Sequence, residues 1–168
     1  MADVTQTMLM DDLDELAAFE PGGFPFISLY LNLQPDQHGR DNFMPFVRKE
    51  FTERAKSYPK NSIELASFKL AATRIMSYLR NEVRPSANGV AVFACAGADV
   101  YFKTVQLDAP IQQHRLHIGE RPHLYPLARV IDQHPRYING TSTTIGTLKR
   151  WWKSWTASFV KRPPSSCN

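Results

Sequence analysis

Cysteine is scarce: Cys95 lies inside an apolar run and Cys167 one residue from the end of the 168-residue chain. Two such positions make no disulfide framework, so a reducing compartment is expected. Long apolar runs are also missing. The longest, Val90 to Gly97, falls far short of the ~18 residues of a membrane-spanning helix. The first twenty residues hold six acids and no base, where a secretory signal needs bases followed by an apolar stretch, so the expectation is a cytoplasmic protein. The Asn139-Gly140-Thr141 triplet has no consequence as a glycosylation site without secretion. With 8 Gly and 12 Pro against 43% hydrophobic residues, collagen-like and low-complexity classes are excluded in favour of a globular domain. No Ser-His-Asp order, paired-carboxylate spacing or Gly-rich phosphate loop stands out, so no catalytic residue and no cofactor are expected.

The net charge of +4 is unevenly spread. Residues 21–137 carry 15 bases and 10 acids, and residues 138–168 carry five bases and no acid. An acidic start therefore precedes a mildly basic body and a strongly basic end.

Leu9, Leu13, Leu16 and Ala17 share one helical face, which predicts a short amphipathic helix over residues 8–19, stopped by Pro21, Gly22 and Gly23. Phe26 to Leu33, bounded by Pro25 and Pro35, reads as a strand at this length and composition. Phe43, Val47, Phe51 and Ala55 recur every four residues, the stripe of a helix over residues 43–57. After a turn at Tyr58 to Asn61, Ser62 is placed to cap a second helix. Its stripe, Leu65, Phe68, Ala72, Ile75, Met76, Leu79 and Val83, runs until Pro85. Val90 to Ala96 is apolar at every position and predicts a strand buried on both sides. A turn at Gly97 to Asp99 and a second strand, Val100 to Leu107, complete a hairpin. His114 to Ile118 predicts a further strand. Pro122 predicts the first turn of a last helix with the stripe Leu124, Leu127, Ala128 and Ile131. The order predicts an α+β domain: a mainly antiparallel sheet of about four strands with packed helices, including a two-helix hairpin.

Three segments together, in this order and spacing, resemble the N-terminal domain of archaeo-eukaryotic class I peptide-chain release factors. They are Ser28 to Leu31, Asn88 to Gly97, and His123-Leu124-Tyr125-Pro126-Leu127, with the helix pair between the first two. Arg121-Pro122-His123-Leu124, then Pro126-Leu127 and Tyr137, resemble the bacterial branch of that family, which includes relatives of peptidyl-tRNA hydrolases. The resemblance covers residues 24–137 and implies a cytoplasmic, translation-associated module whose partner is the ribosome or tRNA. The family's stop-codon motif, Asn-Ile-Lys-Ser, is replaced at the turn by Tyr58-Pro59-Lys60-Asn61-Ser62-Ile63. Its Gly-Gly-Gln catalytic loop is absent, and Gly22-Gly23-Phe24 lacks the amide. The implied module is thus non-catalytic by itself; a peptidyl-tRNA hydrolase and a non-enzymatic oligomerising fragment are the alternatives.

Residues 1–137 read as this domain and residues 138–168 as a basic, Trp-rich tail. In the tail Leu148, Trp151, Trp152, Trp155 and Phe159 share a helical face beside Lys149, Arg150 and Lys153. That pattern fits stacking on RNA bases with phosphate contacts, a membrane interface, or docking on the sheet or on a second copy through residues 148–159. A frame-shifted or truncated coding sequence also fits the abrupt change. In the body, Arg48, Lys49, Arg54, Lys56, Lys60 and Asn61 gather on the helix pair and its tip, a pattern that meets RNA phosphates or simply solvates a helix face. Arg121 and His123 at a helix start are candidates to hold an anion. His114 and His117, three apart on a strand, point to opposite faces, which opposes a metal site. Cys95 among alanines reads as an inert buried thiol.

Overall fold

The computed structural model describes residues 13–39, 42–97, 100–133 and 138–139. Residues 13–18 form a helix, α1. β1 (Phe26–Asn32), α2 (Phe43–Lys56), α3 (Ile63–Asn81), β2 (Gly89–Ala96), β3 (Val100–Leu107), β4 (Arg115–Gly119), α4 (Tyr125–Gln133) and β5 (Ile138–Asn139) follow. The strands form one antiparallel sheet in the order β4-β1-β2-β3-β5. The fold is α+β, as the sequence predicts. The expected four strands are joined by a two-residue fifth that pairs Ile138 with Leu107 and Asn139 with Gln106.

Alternation along the strands divides the core in two. Ile27, Leu29 and Leu31 of β1 and Val90, Val92 and Ala94 of β2 face α2 and α3, where Val47, Phe51, Phe68 and Ile75 meet them. Phe26, Tyr30, Ala91, Phe93, Cys95, Tyr101 and Val105 face the other way, onto Leu16 of α1 and Leu127 of α4. Every residue of β2 is buried, because helices cover both faces of the central strand. This is the both-sided burial that its unbroken apolar sequence predicts.

The helix pair is built as its sequence predicts. The Ser62 hydroxyl accepts the Leu65 N–H at 3.1 Å and caps α3, and Asn61 just before it takes the left-handed conformation at φ 63°, which asparagine tolerates better than most residues. Three expectations shift. α3 ends at Asn81, so Val83 lies beyond it, because the chain must already turn toward Pro85 and β2. Ala17 is exposed, and Phe19 beyond α1 joins Leu13 and Leu16 against the core instead. α4 begins at Tyr125, not around Pro122. There the backbone of His123 is held by β1: its N–H donates to Ser28 Oγ at 3.0 Å and its carbonyl accepts the Tyr30 hydroxyl.

Lys103 is a buried strand lysine, 5% exposed, whose ammonium meets the Glu15 carboxylate of α1 at 2.9 Å. The acidic start of the chain is thereby coupled to the centre of the sheet. Pairing is what permits a charge at such a position. Residues 8–12 of the predicted first helix lie outside the described residues.

Candidate nucleic-acid interface

Two groups of cationic side chains stand on opposite layers of the sheet. The first is carried by α2 and the turn after it. Phe43, Val47 and Phe51 bury one stripe of α2, so the helical period turns Arg48, Lys49, Arg54 and Lys56 outward, and all four are exposed, as are Lys60 and Asn61 in the turn. Two of these bases have acidic neighbours. Arg54 lies 3.9 Å from Glu50 and Lys56 lies 2.8 Å from Glu53. The hydrogen bond and charge of Lys56 hold the Glu53 carboxyl below its usual range. Among the described residues Arg48, Lys49 and Lys60 have no ion-pair partner within 4 Å. Tyr58 at the same tip is half-buried, with one face of its ring against Phe68 at 5.5 Å.

The second group sits where β4, the following loop and α4 meet. Arg115 and His117 alternate onto the same side of β4, opposite Tyr30 and Ser28 of β1. The His117 ring lies against the His123 ring at 4.6 Å. Burial, with the nearby His117 and Arg115, pushes the His123 imidazole below its ordinary pKa. Arg121 is exposed in the loop, and Tyr125 and Arg129, one turn apart on α4, both face solvent. Of the predicted site residues, the fold therefore keeps Arg48, Lys49, Arg54, Lys56, Lys60 and Asn61 together and places Arg121 and His123 on a different layer. The His123 N–H, a candidate anion donor at a helix start, is engaged by Ser28 instead. Arg115, His117, Tyr125 and Arg129 were missed as companions of Arg121 and His123. Their signal was present: Tyr125 and Arg129 fall outside the apolar stripe of α4, at the i and i+4 positions of its wet face.

His114 and His117 do face opposite sides. His114 stacks on Phe46 of α2 at 5.1 Å and its Nδ1 accepts the Asn32 N–H at 3.2 Å. Among the described residues no three His, Cys, Asp or Glu side chains gather as a metal site. Burial lowers the pKa of His114, and protonation of Nδ1 would abolish the bond from Asn32. A base with a folded-state pKa below its unfolded value lends stability that is present above the unfolded pKa of ~6.5 and is lost as the pH falls through the folded one. The melting temperature should therefore drop as the pH falls below about 6.5. His114→Gln should flatten that dependence, and an unchanged slope in the variant would acquit His114. Cys95 is buried, and burial raises its thiol pKa, which keeps it in the unreactive protonated form.

The predicted contacts of Lys149, Arg150, Trp151, Trp152 and Lys153, and dimerisation through residues 148–159, lie outside the described residues. Among the described residues no helix is long and apolar enough to cross a membrane. No known family model matches the chain. Over 68 residues it is 34% identical to adaptive-response sensory kinase SasA of Crocosphaera subtropica, a match covering 35% of this chain and 18% of the kinase. The chain thus spans less than a fifth of that relative.

Proposed function

We propose that the protein is a translation-associated module, similar to the N-terminal domain of bacterial release-factor-like proteins, that binds the ribosome or tRNA and is not catalytic by itself. The observation that carries this reading is the α2 face: five exposed bases on one helix and the turn after it, three of them with no ion pair within 4 Å among the described residues. Such an array neutralises phosphates without reading bases, because lysine and arginine at the ends of long side chains contact backbone oxygens. The segment order of the release-factor resemblance, with the helix pair between β1 and β2, supports the choice of partner. The match to a sensory kinase covers too little of that protein to bring its activity here. The reading places this module in the cytoplasm.

Co-sedimentation with ribosomes tests the proposal. Binding should be present at about 50 mM salt and weaken steeply by about 200 mM, since each phosphate neutralised adds nearly one unit to the logarithmic salt slope. The triple variant Arg48→Gln, Lys49→Gln, Lys60→Gln should bind more weakly and lose about three units of that slope. Absence of binding by the unmodified chain at the lower salt would sink the reading.

A further inference from the structure

Ile63 and Tyr125 are the large apolar side chains most open to solvent among the described residues, at 65% and 67%. Their surroundings differ. Ile63 starts α3 beside the basic tip, whereas Tyr125 starts α4 two residues after His123 and one turn before Arg129. From Arg115 to Val130 the chain carries Arg115, Arg121 and Arg129, with His117 and His123, against Glu120 as its single acid. These groups are held in place. Leu127 is buried in the core shared with Tyr30 and Phe93, which fixes α4 and turns Tyr125 and Arg129 outward. The bonds from the His123 N–H to Ser28 and from the Tyr30 hydroxyl to the His123 carbonyl fix the loop that carries Arg121.

We infer that this corner of β4 and α4 is a binding surface for single-stranded RNA, with Tyr125 as a stacking platform for a base and Arg115, Arg121 and Arg129 as contacts to the flanking phosphates. The inference rests on the RNA-binding reading above and assigns it a second, chemically different surface. On the α2 face the one tyrosine at the tip is half-buried with one ring face on Phe68, so that face offers charge but no fully exposed ring. The corner offers both. An exposed ring among cations suits an unpaired base, because every base has a π-face and only an unstacked one is free to present it. A tyrosine has only two side-chain torsions to fix, so it loses little freedom when a base stacks on it. The His117 and His123 edges add donors beside Arg115.

The test is binding of a fluorescent ten-nucleotide oligouridine to the full 168-residue chain at low salt, read by anisotropy. Tyr125→Ala should weaken binding about tenfold, while Tyr125→Phe and Tyr125→Trp retain it, as stacking requires. Arg121→Gln and Arg129→Gln should each lower the salt slope by about one. The α2 variant Arg48→Gln, Lys49→Gln, Lys60→Gln should weaken oligonucleotide binding less than Tyr125→Ala does, and only through lost phosphate neutralisation that fades as salt rises. Because Tyr125 is exposed, its replacement leaves the fold intact, and circular dichroism confirms that each variant is folded. Ribosome co-sedimentation without oligouridine binding would overturn this inference and spare the α2 reading; loss of both would overturn both. Equal loss from Tyr125→Ala and from the α2 variant, or equal displacement by a poly-glutamate peptide of the same charge, would also overturn it. The second of these results would mark the corner as a site for acidic protein segments.

Discussion

Replacing Phe93 by alanine should remove about 3–5 kcal/mol of folding stability, the usual cost of emptying a large aromatic site in a closed core. Whole domains are stable by only about 5–15 kcal/mol, so the variant should lose a large share of its stability and unfold at a much lower urea concentration. Phe93 is 0% exposed on the central strand β2 and points to the face covered by α1 and α4. Its ring stands edge-on to Tyr30 at 5.9 Å and 86°. The hole would be poorly refilled. β1 and β3 pin the backbone on both sides, and the nearest residues of the same face on β2, Ala91 and Cys95, are small. The loss should also spread to the corner of β4 and α4, because Tyr30 is the residue whose hydroxyl binds the His123 carbonyl. Urea unfolding followed by circular dichroism measures the first effect. Ile63→Ala, at a position 65% exposed, provides the contrast and should change stability by no more than about 0.5 kcal/mol. A loss under about 1 kcal/mol for Phe93→Ala would mean that the second face of the sheet is not packed as described.

Much of this fold was legible because its signals are local. The apolar run Val90 to Ala96 forecast a strand covered on both faces, the four-residue recurrence of Phe43, Val47 and Phe51 forecast α2, and Ser62 announced the start of α3. Features decided across the chain were not. The start of α4 was expected around Pro122, and it is displaced to Tyr125 by bonds from Ser28 and Tyr30, more than ninety positions away. Nothing near Lys103 in sequence announces Glu15 as its partner. The candidate interface divides in the same way. The α2 bases were readable from helical period alone, as were Tyr125 and Arg129 on α4, whereas Arg115 and His117 required the pairing of β4 with β1. Arg115 and His117 belong to that site only because antiparallel register sets them opposite Tyr30 and Ser28.

Gln106→Leu should be the most costly polar substitution, at about 3 kcal/mol, because one buried amide serves four partners. Its Oε1 accepts from the Arg84 N–H and from Arg84 Nε, both at 3.0 Å. Its Nε2 donates to the Tyr78 hydroxyl at 2.8 Å and to the Glu82 carbonyl at 3.3 Å. Leucine has a similar volume, so the loss would come from polarity and not from a cavity. A buried group left without its partner costs about 1–3 kcal/mol, and two of the four partners here are backbone atoms that cannot turn away. The Tyr78 hydroxyl would keep its bond to Thr104, which limits its share. Tyr78→Phe should therefore cost about 1 kcal/mol, the net worth of an ordinary hydrogen bond. Combined with Gln106→Leu it should add less than its own cost, because one of the two bonds it removes is already gone. The amide sits on β3 and all its partners lie on the last turn of α3 or the loop leaving it. With the Thr104–Tyr78 bond, it is thus a polar tie between the sheet and the helix hairpin that carries Arg48, Lys49 and Lys60. Equilibrium unfolding of the two single variants and the double variant closes the cycle. Strict additivity, or a loss below about 1 kcal/mol for Gln106→Leu, would assign the placement of the hairpin to the apolar contacts of Phe68, Ile75 and Leu79 alone.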